Sequence, residues 1–182
     1  MAGGHGHVDH GGNKGIALLI SVLALVLALS ETLGKSAQTT ALGFNIEASN
    51  LWAFFQAKTI RQTTLRTAAE QLDASLQSEA AKVQSAKWRD TAQRYQDEAD
   101  TGEGRKQLAE RAKTAEKKRD VALAAYHHFE MSSASVQIAI VLASASIITA
   151  IPALVWTAGA LGLVGVAFCV IGFWFPTAVH LF

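Results

Sequence analysis

Histidine is the residue type in this chain best suited to bind a transition metal. Three histidines and one aspartate stand close together in the glycine-rich segment 1–15: His5, His7, Asp9 and His10. Imidazole and carboxylate groups are ordinary ligands of such metals, but a segment without apolar periodicity holds its side chains in no fixed geometry. The pattern therefore favours a solvated, flexible tail, with metal binding by the tail as the alternative.

The other side chains with chemical potential are scattered. His127 and His128 are followed by Glu130 without a second carboxylate, and Cys169 lies in an apolar run, where a thiol acts as a small packing residue. The sequence contains no phosphate-binding, dinucleotide-binding, zinc-protease or nucleophile-elbow motif. Glu31 is the one charged residue at the end of an apolar segment, whereas transporters usually need several. We therefore predict no catalytic, cofactor or metal site, and a protein that is not an enzyme.

Composition points to an all-α membrane protein. Hydrophobic residues make up 50% of the 182 positions and concentrate in 16–33 and 136–182, while charged residues crowd the middle. Sixteen basic and 15 acidic residues give a net charge of +1, which argues against a nucleic-acid partner. The single basic run, 117–119, is typical of a solvated helix face. Proline occurs only twice and strand-like alternation is absent, so the predicted fold class is all-α.

Three segments are long and apolar enough to cross a lipid bilayer as helices: 16–33, 136–156 and 158–176. A cleaved signal peptide is the alternative for the first segment, because Lys14 precedes it and 28–30 has the small residues of a cleavage site. Pro152 is expected to kink the end of the second segment. The second and third segments must be antiparallel, because the joint between them is very short.

Small residues recur on one face of each apolar segment at spacings of three and four, which lets helix backbones approach closely in lipid. We predict helix packing through three sets: Ala17, Ser21, Ala24 and Ala28; Ala139, Ala143, Ser146 and Ala150; Gly162, Gly165, Cys169 and Gly172. These faces are expected to join the helices to one another and to leave a face for another chain.

The segment 65–134 between the apolar blocks predicts two antiparallel helices, a hairpin with its turn at 101–104. The second arm carries an unbroken heptad pattern: Leu108, Ala112, Ala115, Arg119, Ala122, Tyr126 and Phe129. The first arm carries two stripes displaced by two positions, so a stutter is expected near 76–81. Glycines 102 and 104 supply the freedom for the reversal. The hairpin is expected to extend about 45 Å from the bilayer.

The segment 34–64 is predicted to be a polar linker followed by the start of an interfacial helix. Trp52, Phe54 and Phe55 with Lys58 lie close in sequence to the first apolar segment, and aromatic rings favour the headgroup zone. Trp156 and Trp174 are placed at the same kind of boundary. Packing in an ordinary core is the alternative for the aromatic cluster at 52–55.

The segment from Trp52 to Lys58, WAFFQAK, stands behind one N-terminal apolar helix and ahead of a charged helical region and a terminal apolar pair. This order resembles a family of small bacterial inner-membrane proteins known only as a domain of unknown function. The resemblance covers nearly the whole chain except the histidine-rich tail. It implies an inner-membrane location and brings no reaction, cofactor or catalytic residue.

Two functional classes remain open. The first is a homo-oligomeric membrane scaffold of more than two chains, joined through the membrane seams and through Trp88 and Tyr95 on the exposed stripe of the first arm. The second is an accessory subunit docked on a larger membrane complex or enzyme.

Lys35 and the basic run 117–119 lie on the hairpin side, so the positive-inside rule places the hairpin and the C-terminus in the cytoplasm.

Overall fold

The computed structural model describes residues 10–75, 78–98 and 100–179, with side chains from residue 14 onward, and is built of helices. Helix α1 spans His10–Ser75, α2 spans Glu79–Gln96, α3 spans Arg105–Thr149 and α4 spans Pro152–Trp174. No strand occurs in the described residues, so the predicted all-α class is confirmed. The candidate metal ligands of the N-terminal tail, including the side chain of His10, lie outside the described part.

Three of the helical segments are long and apolar enough to cross a membrane: Lys14–Ser75, Arg105–Thr149 and Pro152–Trp174. This agrees with the number of apolar segments expected from the sequence. The helices form two compact units. Unit 1 comprises the chain up to Thr40 together with the chain from Val121 onward, and unit 2 comprises Ala41–Asp120. Helices α1 and α3 contribute to both units, α4 lies in unit 1 and α2 lies in unit 2.

Unit 1 is a three-helix arrangement in which α1 and α3 run antiparallel. Ser30 meets Ser132, and Gly34 meets Phe129 one turn further along, so residue numbers rise on one helix as they fall on the other. A buried cluster joins the three helices and contains Leu23, Val136, Ala139, Ala143 and Ala158. Partly buried apolar side chains of all three helices surround this cluster.

The connection between α3 and α4 lies earlier than the sequence suggested. Helix α3 ends at Thr149, Ala150 has a φ of 53°, and Pro152 begins α4. The predicted boundary at 156–158 therefore lies within α4. Pro152 begins this helix, whereas a kink at the end of the preceding helix was expected. The reason is that proline lacks the N–H that a first helical turn leaves unpaired anyway, so this position suits it.

Unit 2 differs from the predicted hairpin in where the chain reverses. Contacts between α1 and α2 run antiparallel, from Asp73–Arg89 to Lys58–Glu98. Contacts between α1 and α3 continue in the same sense through three pairs: Gln62–Arg105, Trp52–Glu116 and Asn45–Arg119. Helices α2 and α3 thus follow one another along α1, and both are antiparallel to it. The 101–104 segment connects them without serving as a hairpin reversal.

The chain reverses between Ser75 and Glu79, at the place where the sequence showed a phase shift. A stutter within one helix was expected there. Instead α1 ends at Ser75, and Ser78 caps α2 by accepting a hydrogen bond from the Ala81 N–H at 3.2 Å. The connection between α2 and α3 uses Gly102 with a φ of 67°, a conformation that glycine adopts without strain.

The predicted linker at 34–43 is helical, because α1 runs through it without a break. Its glycine Gly34 is buried, and a Cβ there would lie 3.4 Å from the Cβ of Phe129, so it allows close packing. Its hydroxyls bond within the helix: Thr39 donates to the Lys35 carbonyl and Thr40 to the Ser36 carbonyl, both at 2.9 Å. The polar residues that had suggested a linker therefore form their hydrogen bonds inside a helix.

Candidate functional site

The most concentrated polar cluster of unit 2 surrounds Lys58, a lysine with only 5% of its surface exposed. Its ammonium donates to Glu98 at 3.0 Å and lies 3.7 Å from Glu103. The same ammonium stands over the rings of Phe54 and Tyr95, at 5.4 and 5.5 Å from their centroids. A buried cation needs such partners because water no longer solvates it. Lys58 therefore links α1 to the end of α2. The sequence had suggested a position at the lipid surface for this residue, but its ammonium group points to these partners inside unit 2.

A second polar side chain on the same face of α1, Gln62, is also buried. Its amide donates to the carbonyl of Ala92 at 3.0 Å, and its oxygen accepts from Arg105. Arg105 donates in turn to Gln96 at 2.9 Å and lies 4.8 Å from the centroid of the Phe55 ring. Its Nε is buried without a hydrogen-bond partner among the described residues. This network joins α1, α2 and the first turn of α3.

The aromatic residues predicted for the membrane interface belong to a packed core in unit 2. Trp52 and Phe55 meet edge to face at 5.4 Å and pack against a buried cluster of Leu51, Leu108 and Ala112. The indole N–H donates to Glu116 at 2.8 Å. Phe54 remains 38% exposed. Trp52 and Phe55 thus have the core surroundings that were the alternative for this cluster.

Two carboxyl groups of unit 2 have a pKa below the ordinary value. A hydrogen bond from Ser85 is the main cause of the lowered pKa of Asp73, and the charge of Arg89 adds to it. A hydrogen bond from Lys58 is the main cause of the lowered pKa of Glu98. A carboxyl with a lowered folded pKa stabilises the fold above its unfolded pKa, and this contribution disappears as pH falls through the folded pKa.

We therefore expect the free energy of unfolding to stay level at neutral pH and to fall once pH drops below the ordinary values of 4.5 for Glu98 and 3.8 for Asp73. Denaturant titrations of the full chain across a pH series, followed by circular dichroism, measure this decline. The variant Asp73→Asn/Glu98→Gln should flatten it, while the exposed-site variant Asp90→Asn should keep the wild-type slope. An unchanged slope in the double variant would contradict the assignment.

A buried serine relay joins the three helices of unit 1. The Ser132 hydroxyl donates to the Gly165 carbonyl at 2.7 Å, and the Oγ atoms of Ser132 and Ser30 are 2.8 Å apart. A carbonyl only accepts, so the single proton of Ser132 is committed to Gly165 and Ser30 must donate to Ser132. The relay passes from α1 through α3 to α4, and neither serine was singled out from the sequence.

His128 of unit 1 is 1% exposed and stacks on Phe168 at 6.2 Å. Its Nε2 lies 3.2 Å from the carbonyl of Pro176, which can only accept, so Nε2 carries the proton. Its Nδ1 is buried without a hydrogen-bond partner among the described residues. His127 lies 3.7 Å from Glu130. The adjacent histidines therefore have separate environments, and no group of three metal-ligating side chains forms in the described part of the chain.

The small-residue face predicted for the third apolar segment lies at helix contacts in unit 1. Gly162, Gly165 and Gly172 are buried and Cys169 is half-buried. A Cβ at Gly162 would lie 2.6 Å from Leu23, and one at Gly172 would lie 2.9 Å from His128. On α3, Ala139, Ala143 and Ser146 are buried, whereas Ala150 is exposed at the connection.

The small-residue face predicted for the first segment is not a packing face in unit 1. Its four members are all exposed: Ala17, Ser21, Ala24 and Ala28. Helix α1 instead packs through larger side chains on another face, including Leu23, which fills the space that Gly162 leaves. Large residues on one helix and glycines on its neighbour interlock more fully than two flat surfaces would.

The remaining predicted residues fall in different surroundings. Trp88 and Tyr95 are half-buried on α2, and the Lys58 contact uses the ring of Tyr95 inside unit 2, so neither belongs to a freely exposed stripe. Trp156 and Trp174 are 81% and 68% exposed near the two ends of α4, which suits rings at a bilayer boundary.

Clefts occur on the described surface of both units. One in unit 2 has a volume of about 500 Å³ and is lined by charged residues of α1 and α3, including Glu47, Arg111 and Lys118. One in unit 1 has a volume of about 340 Å³ and lies between α1 and α3. Apart from the Arg105 Nε, the polar groups described in the Lys58, Gln62 and Ser132 clusters bind one another and join helices.

No curated protein and no solved structure matches the chain. A family model does match, over residues 12–175, and it is described as a domain of unknown function. This confirms the family of unknown function that the segment Trp52–Lys58 and the order of the apolar segments had indicated. The chain belongs to the family Domain of unknown function (DUF4337).

Proposed function

We propose that the protein is a non-enzymatic, homo-oligomeric scaffold of the bacterial inner membrane with more than two chains. One observation carries the proposal: helix α1 in unit 2 presents an uncovered apolar stripe. Leu42, Ile46 and Ile60 are 58%, 53% and 67% exposed, and Ala53 between them is exposed as well. These positions recur at intervals of four and seven residues, which places them on one face of a helix.

The stripe fits other copies of itself. It lies in the charged part of the chain, where contiguous apolar surface on a free protein is usually small and marks a contact. A face used identically by every copy closes into a symmetric assembly. Positions 46, 53 and 60 are seven residues apart and therefore share one heptad position, and Leu42, four residues before Ile46, occupies the other.

Introducing a charge on the stripe is expected to weaken assembly without unfolding the chain. Ile60→Glu should raise the concentration at which the oligomer dissociates by at least roughly tenfold, since burying an isoleucine contributes about 1.5–3 kcal/mol. Native mass measurement in mild detergent gives the copy number and its concentration dependence. The matched control is Val83→Glu, because Val83 is 54% exposed but lies on α2.

Three outcomes decide between the functional classes. Loss of assembly in Ile60→Glu with retention in Val83→Glu supports the scaffold. A monomeric wild type, or equal behaviour of both variants, rejects it. A second protein present in fixed proportion favours the accessory subunit of a larger membrane complex. Trp88→Glu and Gly165→Leu are poor tests of assembly, because Trp88 is half-buried and a side chain at Gly165 would meet Val136 inside unit 1.

The proposed orientation places unit 2 and the C-terminus in the cytoplasm. Lys35 and the basic run 117–119 lie on one side of the apolar segments, and Lys14 lies on the other. A cysteine at position 102, in a Cys169→Ser background, should resist a membrane-impermeant thiol reagent in intact cells and react after lysis. The Cys169→Ser chain alone is the control. Labelling in intact cells would reverse the orientation.

A further inference from the structure

The cleft of about 340 Å³ in unit 1 lies between one face of α1 and one face of α3. Helix α1 contributes Ser30, Glu31, Gly34, Lys35 and Gln38, and α3 contributes Tyr126, Phe129, Glu130 and Ser133. Gly34 opens the cleft because it brings no side chain into the space beside Phe129. Both helices turn from apolar to polar sequence at this level, so the cleft lies at the end of the membrane-spanning part.

The charges around the cleft are separated and not paired with one another. Glu31 accepts a hydrogen bond from Gln137 at 3.3 Å, and Glu130 lies 3.7 Å from His127. Lys35 forms no ion pair with another described residue, including Glu31, four residues before it on α1. Two carboxylates and one ammonium group therefore face a space large enough for a small zwitterion.

An exposed track leads from the cleft along the apolar part of α1. Ala28 and Ala24 lie three and seven residues before Glu31, hence on the same helix face, and both are exposed. Helix α3 runs antiparallel to α1, and its Val141, one turn beyond Gln137, is also exposed, at 65%. The small side chains of Ala28 and Ala24 leave this face of α1 accessible to a hydrocarbon chain.

We propose that this cleft and track form a binding site for one phospholipid with an ethanolamine headgroup. The primary ammonium donates hydrogen bonds to Glu31 and Glu130, the phosphate pairs with Lys35, and an acyl chain lies over Ala28 and Ala24. A choline headgroup has no N–H to donate, and a glycerol headgroup brings no cation to the carboxylates. The chemistry therefore selects ethanolamine, and the exposed apolar residues that follow the cleft along α1 favour a lipid over a free phosphoester. The site requires no particular number of chains.

Competition among lipids tests the site directly. The full chain is reconstituted in nanodiscs made of equal parts of phosphatidylethanolamine, phosphatidylcholine and phosphatidylglycerol, and the lipids retained are counted by native mass spectrometry. The wild type should retain the ethanolamine lipid roughly tenfold over choline, because a charge-assisted hydrogen bond contributes a factor of about that size. Glu31→Gln/Glu130→Gln should remove this preference. The control Glu70→Gln/Glu79→Gln makes the same change in charge on exposed residues of unit 2 and should keep it.

Two further variants examine the parts of the site separately. Lys35→Met should lower retention of all three lipids, because each carries the phosphate. Ala28→Trp, which fills the track at an exposed position, should lower retention of all three lipids. Equal retention of ethanolamine and choline lipid by the wild type, or wild-type behaviour of the double glutamine variant, would overturn the proposal. Disulfide cross-linking between Ala28→Cys chains in a Cys169→Ser background would also overturn it, since a second copy would then cover the track.

Discussion

Replacing Gly165 by alanine is expected to destabilise the helix packing of unit 1 by about 1–3 kcal/mol, the usual cost of overfilling a packed core. A Cβ at this position would lie 2.4 Å from Cγ2 of Val136 and 3.2 Å from the Ser132 carbonyl. Val136 is fully buried, and a β-branched side chain in a helix has one strongly preferred rotamer, so it has no room to turn away. The added methyl group must therefore separate α4 from α3.

The matched control lies on the same helix. No atom would come within 4 Å of a Cβ at Gly159, so Gly159→Ala is expected to be neutral or to stabilise α4 by about 0.5–1 kcal/mol. Unfolding of both variants in mixed detergent micelles, followed by circular dichroism, compares them. Equal midpoints for the two alanine variants would show that α4 does not pack against α3 through Gly165.

The sequence predicted packing faces correctly where only one face is suited to pack. On the second arm, Leu108, Ala112 and Ala115 stand among charged residues, so the apolar stripe was unambiguous, and all three are buried in unit 2. The glycines of α4 were equally distinctive. The first apolar segment is hydrophobic all round, so residue size was the only guide there. Residue size pointed to the alanine face, which is exposed, whereas α1 packs through the face that carries Leu23.

Polar residues at buried positions explain most of the remaining differences. In unit 2 the buried or half-buried positions of α1 follow spacings of three and four without interruption: Ala41, Phe44, Ala48, Leu51, Phe55, Lys58, Gln62, Leu65, Ala69 and Leu72. Lys58 and Gln62 are polar, so the pattern of apolar residues alone is interrupted at these two positions. Hydrophobicity does not reveal that Glu98, Glu103 and Arg105, about 40 residues away, would satisfy them. The regular spacing of three and four residues was the sequence signal that could have placed Lys58 and Gln62 on the packing face of α1.

The reversal at 75–79 was visible as a discontinuity but not as a turn. Two apolar stripes displaced by two positions fit either a stutter in one helix or two helices with different faces, and periodicity does not separate these cases. Ser78, followed by the helix-forming run 79–81, was the available local signal for a new N-terminus. With the reversal there, the second stripe becomes the face by which α2 packs against α1.

Coupling between Leu51 and Leu108 is the expected result that separates this topology from the predicted hairpin. The hairpin placed Leu51 outside its two arms, whereas in unit 2 both leucines belong to one buried cluster with Ala112. Leu108 is fully buried and Leu51 is 8% exposed. Truncation of either to alanine should cost about 2–5 kcal/mol, through lost burial and the cavity left behind.

A double-mutant cycle measures the coupling. Once Leu108→Ala has opened the cavity, Leu51→Ala removes contacts that are already partly lost, so the double variant should be more stable than the sum of the single losses implies, by about 0.5–3 kcal/mol. Leu65 of α1 lies outside the cluster, and Leu65→Ala with Leu108→Ala should add within about 0.5 kcal/mol. Denaturant unfolding of the full chain in detergent gives all the required free energies. Additive losses for Leu51 and Leu108 would mean that α3 does not lie against this part of α1.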